Sequence, residues 1–106
     1  MSSLKIVFSM VEPAAVDPVL DAFSEQGITG WTVMKARGKG SQNNHEFLGM
    51  QIEPEKEVIV TITDEVTALK AQESAKEAGQ LNRPGKGLSV VVDVESAAGL
   101  LDQQDK

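Results

Sequence analysis

The stretch GWTVMKARGKGSQNNHE, residues 30–46, begins as a strand and then stops being one. From Trp31 the chain reads as a strand that runs to about Lys39. Gly38 and Gly40 break it, and Ser41, Gln42, Asn43 and Asn44 carry it into a polar loop. The whole chain has a formal net charge of −6, yet no Asp or Glu occurs from Gln26 to His45, and Lys35, Arg37 and Lys39 fall inside that window. An acidic protein therefore builds one basic, glycine-broken strand end. The elements on either side say which fold carries it.

Upstream, Leu4 to Met10 alternates: Leu4, Ile6, Phe8 and Met10 share one face, Lys5, Val7 and Ser9 the other. Asp17-Pro18 offers an N-cap and first-turn pair for a helix to Gln26, with Gly27 as its stop and Val19, Leu20 and Phe23 toward the core. Downstream, a loop covers about 41–55, and a third strand runs from Glu57 to Thr63. Thr63 and Asp64 offer caps for a second helix to Ala78, whose apolar stripe reads Val66, Leu69, Ala71, Ala75 and Ala78. Gly79 ends it, and Leu88 to Val94 is a fourth strand. A polar tail covers about 95–106, and residues 1–106 form a single domain.

The order β-α-β-β-α-β is the ferredoxin-like pattern of the α+β class: a four-stranded antiparallel sheet with two helices on one face. The expectation is that the helices cover the Leu4–Ile6–Phe8–Met10 side. The other side, with Val7, Ile59 and Val91 beside Ser9, Thr61 and Ser89, is then left either to solvent or to another subunit, and its β-branched apolar patch favours the subunit.

Composition narrows the function classes. No apolar run approaches a membrane span, and no secretory leader is evident. The absence of cysteine excludes disulfides and thiolate chemistry, and a cytoplasmic location is expected. Net negative charge, with three Phe, one Trp and no Tyr, disfavours nucleic acid as a partner. His45 is the single histidine, so no metal-ligand set is legible. Positive charge is local. Besides the opening stretch, Arg83 and Lys86 sit in a second glycine-rich loop, Arg83-Pro84-Gly85-Lys86-Gly87.

Gly38-Lys39-Gly40-Ser41 lacks the spacing of a Walker loop but offers backbone N–H groups and a cation to an anion. Either loop alone reads more readily as a solvated turn. Two in one small acidic domain point to phosphate. Phe47, Leu48, Met50 and Ile52 are apolar for a loop; they read as a short strand extension, a packed loop or a partner-docking element.

Gly27-Ile28-Thr29-Gly30-Trp31-Thr32-Val33 followed by Gly38-Lys39-Gly40-Ser41 resembles the second strand and T-loop base of the P-II signal-transduction superfamily. Glu12-Pro13, and Gly85-Lys86-Gly87 before Leu88–Val94, resemble its first-helix entry and its B-loop with fourth strand. Thr32-Val33-Met34-x-x-x-Gly38-Lys39-Gly40-Ser41 is most similar to PII-like proteins of inorganic-carbon metabolism, associated with carboxysomes or with a bicarbonate transporter.

The resemblance implies a nonenzymatic cytoplasmic homotrimer with no catalytic residue, metal or resident cofactor. It binds adenine nucleotides between subunits, with bicarbonate as a further ligand, and signals through the long loop to a protein target such as a bicarbonate transporter or a carboxysome-related protein. Carried over by position, Thr32 and the backbone near Met10 and Thr61 meet the adenine side. Gly38, Lys39, Gly40, Ser41 and Gln42 line the cleft, and Gly85, Lys86 and Gly87 hold phosphate with Arg83 nearby.

This sequence departs from nitrogen-sensing members. Its loop is shorter, it has no Tyr to be nucleotidylylated, Leu88 stands where they carry a lysine, and Glu95 to Leu101 lacks their arginines. Those departures imply AMP, ADP or cyclic AMP rather than tight ATP binding, and argue against a 2-oxoglutarate role. An ACT-type amino-acid sensor and a small acylphosphatase-like enzyme share the strand order and remain the alternatives.

Overall fold

A computed structural model describes residues 4–36, 46–47, 50–51 and 55–99. Strand β1 (Leu4–Val11) leads through a 3-10 turn (Pro13–Ala15) into α1 (Val16–Glu25). Strand β2 (Thr32–Ala36), a two-rung hairpin of β3 (Glu46–Phe47) and β4 (Met50–Gln51), and β5 (Lys56–Asp64) follow. Helix α2 (Glu65–Ala78) and β6 (Gly87–Asp93) complete the fold. The four long strands form one antiparallel sheet in the order β2-β5-β1-β6, the ferredoxin-like arrangement the alternation predicts. Phe8 lies opposite Val60 and Val90, and Val7 opposite Thr61 and Val91.

The first helix starts earlier than Asp17-Pro18 suggests. Pro13 opens a turn in which the Ala15 N–H donates to the Glu12 carbonyl at 2.8 Å, and α1 continues from it at Val16. Pro18 is then the third helical residue, where its missing N–H costs nothing, because the first N–H groups of a helix have no partner within it. Asp17 lies in the first turn, favourable to the helix dipole, but does not cap. Val19 and Phe23 are fully buried, as their spacing predicts, and the helix unwinds at Gly27, with φ +90°. The second helix is capped by Asp64, which accepts from the Thr67 N–H at 2.8 Å and the Thr67 hydroxyl at 3.1 Å.

The two faces of the sheet are the reverse of the expectation. The helices cover Val7, Ser9, Val11, Ile59 and Thr61, all buried; the face carrying Leu4, Ile6, Phe8 and Met10 is open. The reason lies in α2. Its buried residues are Ala68, Ala71 and Ala75, so it sits close over small side chains, while Val66 and Leu69, expected in the stripe, point to solvent. Beneath it the polar groups are paired: Ser9 and Ser89 share a 3.0 Å hydroxyl contact, Gln72 donates to the Ser89 carbonyl at 2.9 Å, and Thr61 donates to the Gly30 carbonyl at 2.6 Å. That satisfaction is what lets a half-polar face be the inner one. The open face adds Met34, Val58, Val60, Ile62, Leu88, Val90 and Val92 to the β1 row, with Leu4, Met34, Ile62, Val90 and Val92 exposed.

The hairpin at Glu46–Phe47 and Met50–Gln51 realises the short-strand reading of the apolar loop residues. Leu48 and Ile52 lie outside the described residues, as do Gly38, Lys39, Gly40, Ser41 and Gln42.

Candidate functional site

At one end of the sheet β1 stops while β5 and β6 begin, and among the described residues the side chains of Glu12, Lys56 and Lys86 meet there. Lys56 opens β5 in phase with Val58 and Val60. Its side chain has no exposed surface; the ammonium donates to the Gly85 carbonyl at 3.0 Å and lies 4.0 Å from Glu12 Oε2. Glu12, just past β1, accepts from Lys86 Nζ through Oε1 at 3.2 Å, and both of these side chains are about one-third exposed. Buried charge is tolerated only when paired and hydrogen-bonded, and Lys56 has both a carbonyl and a carboxylate.

The loop above this cluster is a chain of turns. The Arg83 N–H donates to the Gln80 carbonyl at 3.0 Å, and the Lys86 N–H to the Arg83 carbonyl at 3.3 Å. Gly87 then passes so close to β1 that a Cβ there would lie 2.0 Å from the Met10 carbonyl oxygen, and its φ is +145°. Only glycine allows this approach, which brings the Gly85–Gly87 backbone against the end of β1.

The residues proposed from sequence divide accordingly. Gly85, Lys86 and Gly87 converge with Glu12 and Lys56. Arg83 does not join them. Its guanidinium donates to Gln80 Oε1 at 3.4 Å, in an open depression of 380 Å³ with Glu73, Lys76, Glu77 and Asn82 at the end of α2. Met10 and Thr32 belong to the open face, opposite Val58 and Val60. Thr61 lies on the helix-covered face with its hydroxyl committed to Gly30, so its side chain is turned away from the other two. Lys56 was not legible as a site residue. Its one signal is a lysine in phase with an apolar strand row, which must either be solvated at the strand end or be held by a carboxylate.

A separate ion pair, Lys5 with Asp93, joins β1 to β6 at the opposite end of the sheet; its hydrogen bond raises the Lys5 ammonium above its ordinary pKa. The cluster at Glu12 is suited to binding an anion: an accessible ammonium beside glycine backbone, held from below by a buried one. Among the described residues no three His, Cys, Asp or Glu side chains gather as a metal site, and no helix is long and apolar enough to cross a membrane.

The sequence profile of the family described as nitrogen regulatory protein P-II matches residues 4–102. The chain is 32% identical over 98 residues to the nitrogen regulatory protein P-II of Pasteurella multocida, covering 87% of each chain. It is 33% identical over 98 residues to that of Rhizobium meliloti, again covering 87% of each. Its backbone superposes on Arabidopsis thaliana PII bound to citrate with a TM-score of 0.69 at 22% identity, covering 88% of this chain and 78% of that one. At that identity the superposition speaks for the fold.

Proposed function

Because this chain belongs to the nitrogen regulatory protein P-II family, we propose that it senses adenine nucleotide in clefts between subunits and reports occupancy through the loop after β2. As a family member it is a signal-transduction regulator and not an enzyme, and the family implies a trimer and nucleotide binding. The finer reading has AMP, ADP or cyclic AMP as ligand, bicarbonate as a second ligand, and inorganic-carbon or energy status as the signal. The output is a cytoplasmic protein target such as a bicarbonate transporter or a carboxysome-related protein.

The observation that carries the nucleotide reading is the Gly85–Gly87 backbone seated against β1 with Lys86 accessible beside it. The carbon reading rests on Gly38-Lys39-Gly40-Ser41, the missing tyrosines and Leu88. The relatives above carry nitrogen-regulatory names. In the proposed output step, a bound anion recruits N–H groups at Gly38–Gln42 and biases how Phe47, Leu48, Met50 and Ile52 are presented. A ligand shifts such an equilibrium only by its differential affinity for the two states.

Calorimetric titration of AMP, ADP, ATP and cyclic AMP, each with and without bicarbonate, tests the ligand. One adenine nucleotide should bind per chain, with ATP not the tightest. Hydrogen exchange tests the output: protection should rise between Gly38 and Ile52 on binding, while the sheet changes little. If no adenine nucleotide binds, the sensing reading is lost. If one binds and the loop is unchanged, the loop is not the output.

A further inference from the structure

Three charges form the cluster at the end of β1, and they are not equivalent. Lys56 has no exposed side-chain surface and spends its ammonium on the Gly85 carbonyl, so an incoming ligand cannot reach it. Lys86 is reachable, but the Glu12 carboxylate already holds it at 3.2 Å. The second oxygen of the same carboxylate lies 4.0 Å from Lys56. Glu12 therefore bridges a buried cation and an accessible one.

We infer that Glu12 is an internal competitor for the ligand's anionic group: it neutralises Lys86 in the empty site, and a phosphate must take Lys86 from it. This rests on reading the Gly85–Gly87 loop as the phosphate site. On displacement Glu12 remains the counter-ion of Lys56, so the buried ammonium is not orphaned. Binding exchanges one ion pair for another, and the net gain depends on how much better the ligand anion satisfies Lys86 than a carboxylate does. A phosphate dianion, with more charge and three acceptor oxygens, competes well. A singly charged anion competes poorly, and a neutral nucleoside gains nothing from the exchange. Of the nucleotides proposed above, Glu12 thus selects AMP and ADP, which carry a terminal phosphate dianion, over the singly charged cyclic AMP, and keeps their affinity moderate enough to follow concentration. Lys56 acts as a positioning residue, holding the Gly85 carbonyl and the carboxylate in register.

The test is calorimetry with ADP, inorganic pyrophosphate and adenosine on wild type, Glu12→Gln, Lys86→Met and the double variant Glu12→Gln/Lys86→Met. Glu12→Gln should tighten ADP and pyrophosphate about tenfold, as expected for freeing one charge-assisted contact, and leave adenosine unchanged. In the Lys86→Met background the same substitution should have less than a twofold effect. Glu12→Gln leaves Lys56 without its carboxylate, so Lys56→Met and Lys56→Met/Glu12→Gln are measured as a second pair, and the same tightening is expected of the double variant relative to Lys56→Met.

Unchanged or weaker ADP and pyrophosphate binding in both Glu12→Gln proteins overturns the inference, as does an equal gain without Lys86. If wild type binds ADP and Glu12→Gln binds it no better, the competitor role fails while the nucleotide reading stands. If Glu12→Gln tightens pyrophosphate but ADP binds no better than pyrophosphate, the competitor role stands and the adenine reading fails. If none of these anions binds any variant, both fail.

Discussion

Gly87 can open β6 where it does only because it has no side chain. With φ at +145° and a Cβ position 2.0 Å from the Met10 carbonyl oxygen, alanine there meets both backbone strain and a hard clash. Gly27 is the control: its φ is also positive, at +90°, but a Cβ would meet nothing within 4 Å. Gly87→Ala should lower stability by at least about 2 kcal/mol, and Gly27→Ala by about 1 kcal/mol, measured by denaturant midpoints at unchanged slope. Equal costs would mean the close approach is not rigid. The two loop cations should separate in the same way. Lys86 faces the cluster, so Lys86→Ala should weaken ADP binding by about five- to tenfold: it loses a charge-assisted hydrogen bond worth roughly 1.5–3 kcal/mol, offset in part by the Glu12 pair that wild type gives up on binding. Arg83 turns to Gln80, and Arg83→Ala should cost less than about twofold. Titration calorimetry decides between them, and an Arg83→Ala loss as large as that of Lys86→Ala would move the phosphate toward the end of α2.

Helix α2 shows how one element can be legible at its ends and illegible along its face. Its cap is written in the sequence: Asp64 is followed three residues later by Thr67, whose N–H and hydroxyl it accepts. Those bonds, the Thr67 N–H first, hold the Asp64 carboxyl below its ordinary value of 3.8. A carboxyl depressed in the native state contributes stability that is fully present above that ordinary value and lost as pH falls through the lower native one. Asp64→Ala should therefore cost about 1 kcal/mol near neutral pH. The difference from wild type should shrink once the pH drops below the ordinary carboxylate range, as read from denaturation at a series of pH values. A gap that stays constant into acid would mean the capping bond is not the source. The face of α2 is another matter. Val66 and Leu69 look like core residues by hydropathy, yet the helix buries its alanines, because close seating over Val7, Val11 and Ile59 leaves no room for larger side chains.

At the scale of the whole molecule the open sheet face dominates. A monomer seldom exposes a contiguous apolar surface of this extent, and the family implies a trimer. Val90, 40% exposed in the isolated chain, lies on this face in an edge strand; Val66, 64% exposed, lies on the helix side. Sedimentation equilibrium should report three chains per particle for wild type. Val90→Lys should shift the particle toward monomer, because an interface core does not accommodate an unpaired charge, whereas Val66→Lys should leave it trimeric. A trimer that tolerates Val90→Lys but not Val66→Lys would place the interface on the helices.

Alternation of period two, the glycines at helix ends and the Asp64 cap were enough to order the strands and helices and to assign the ferredoxin-like fold. Cations set among glycines singled out Gly85-Lys86-Gly87. All are local signals, because each depends on residues within one element or one turn. Which face of the sheet the helices cover was not a local matter. Period two says that Val7 and Ser9 share a side and that Ile6 and Phe8 share the other, but both sides are rich in apolar residues. The choice fell to the packing of an alanine-faced helix and to the hydrogen bonds that satisfy Ser9, Ser89 and Thr61 beneath it. The Glu12–Lys56–Lys86 cluster was hidden for the same reason. Its members are 44 and 30 residues apart along the chain, and only the antiparallel register, ending β1 where β5 and β6 begin, puts one carboxylate within reach of two lysines.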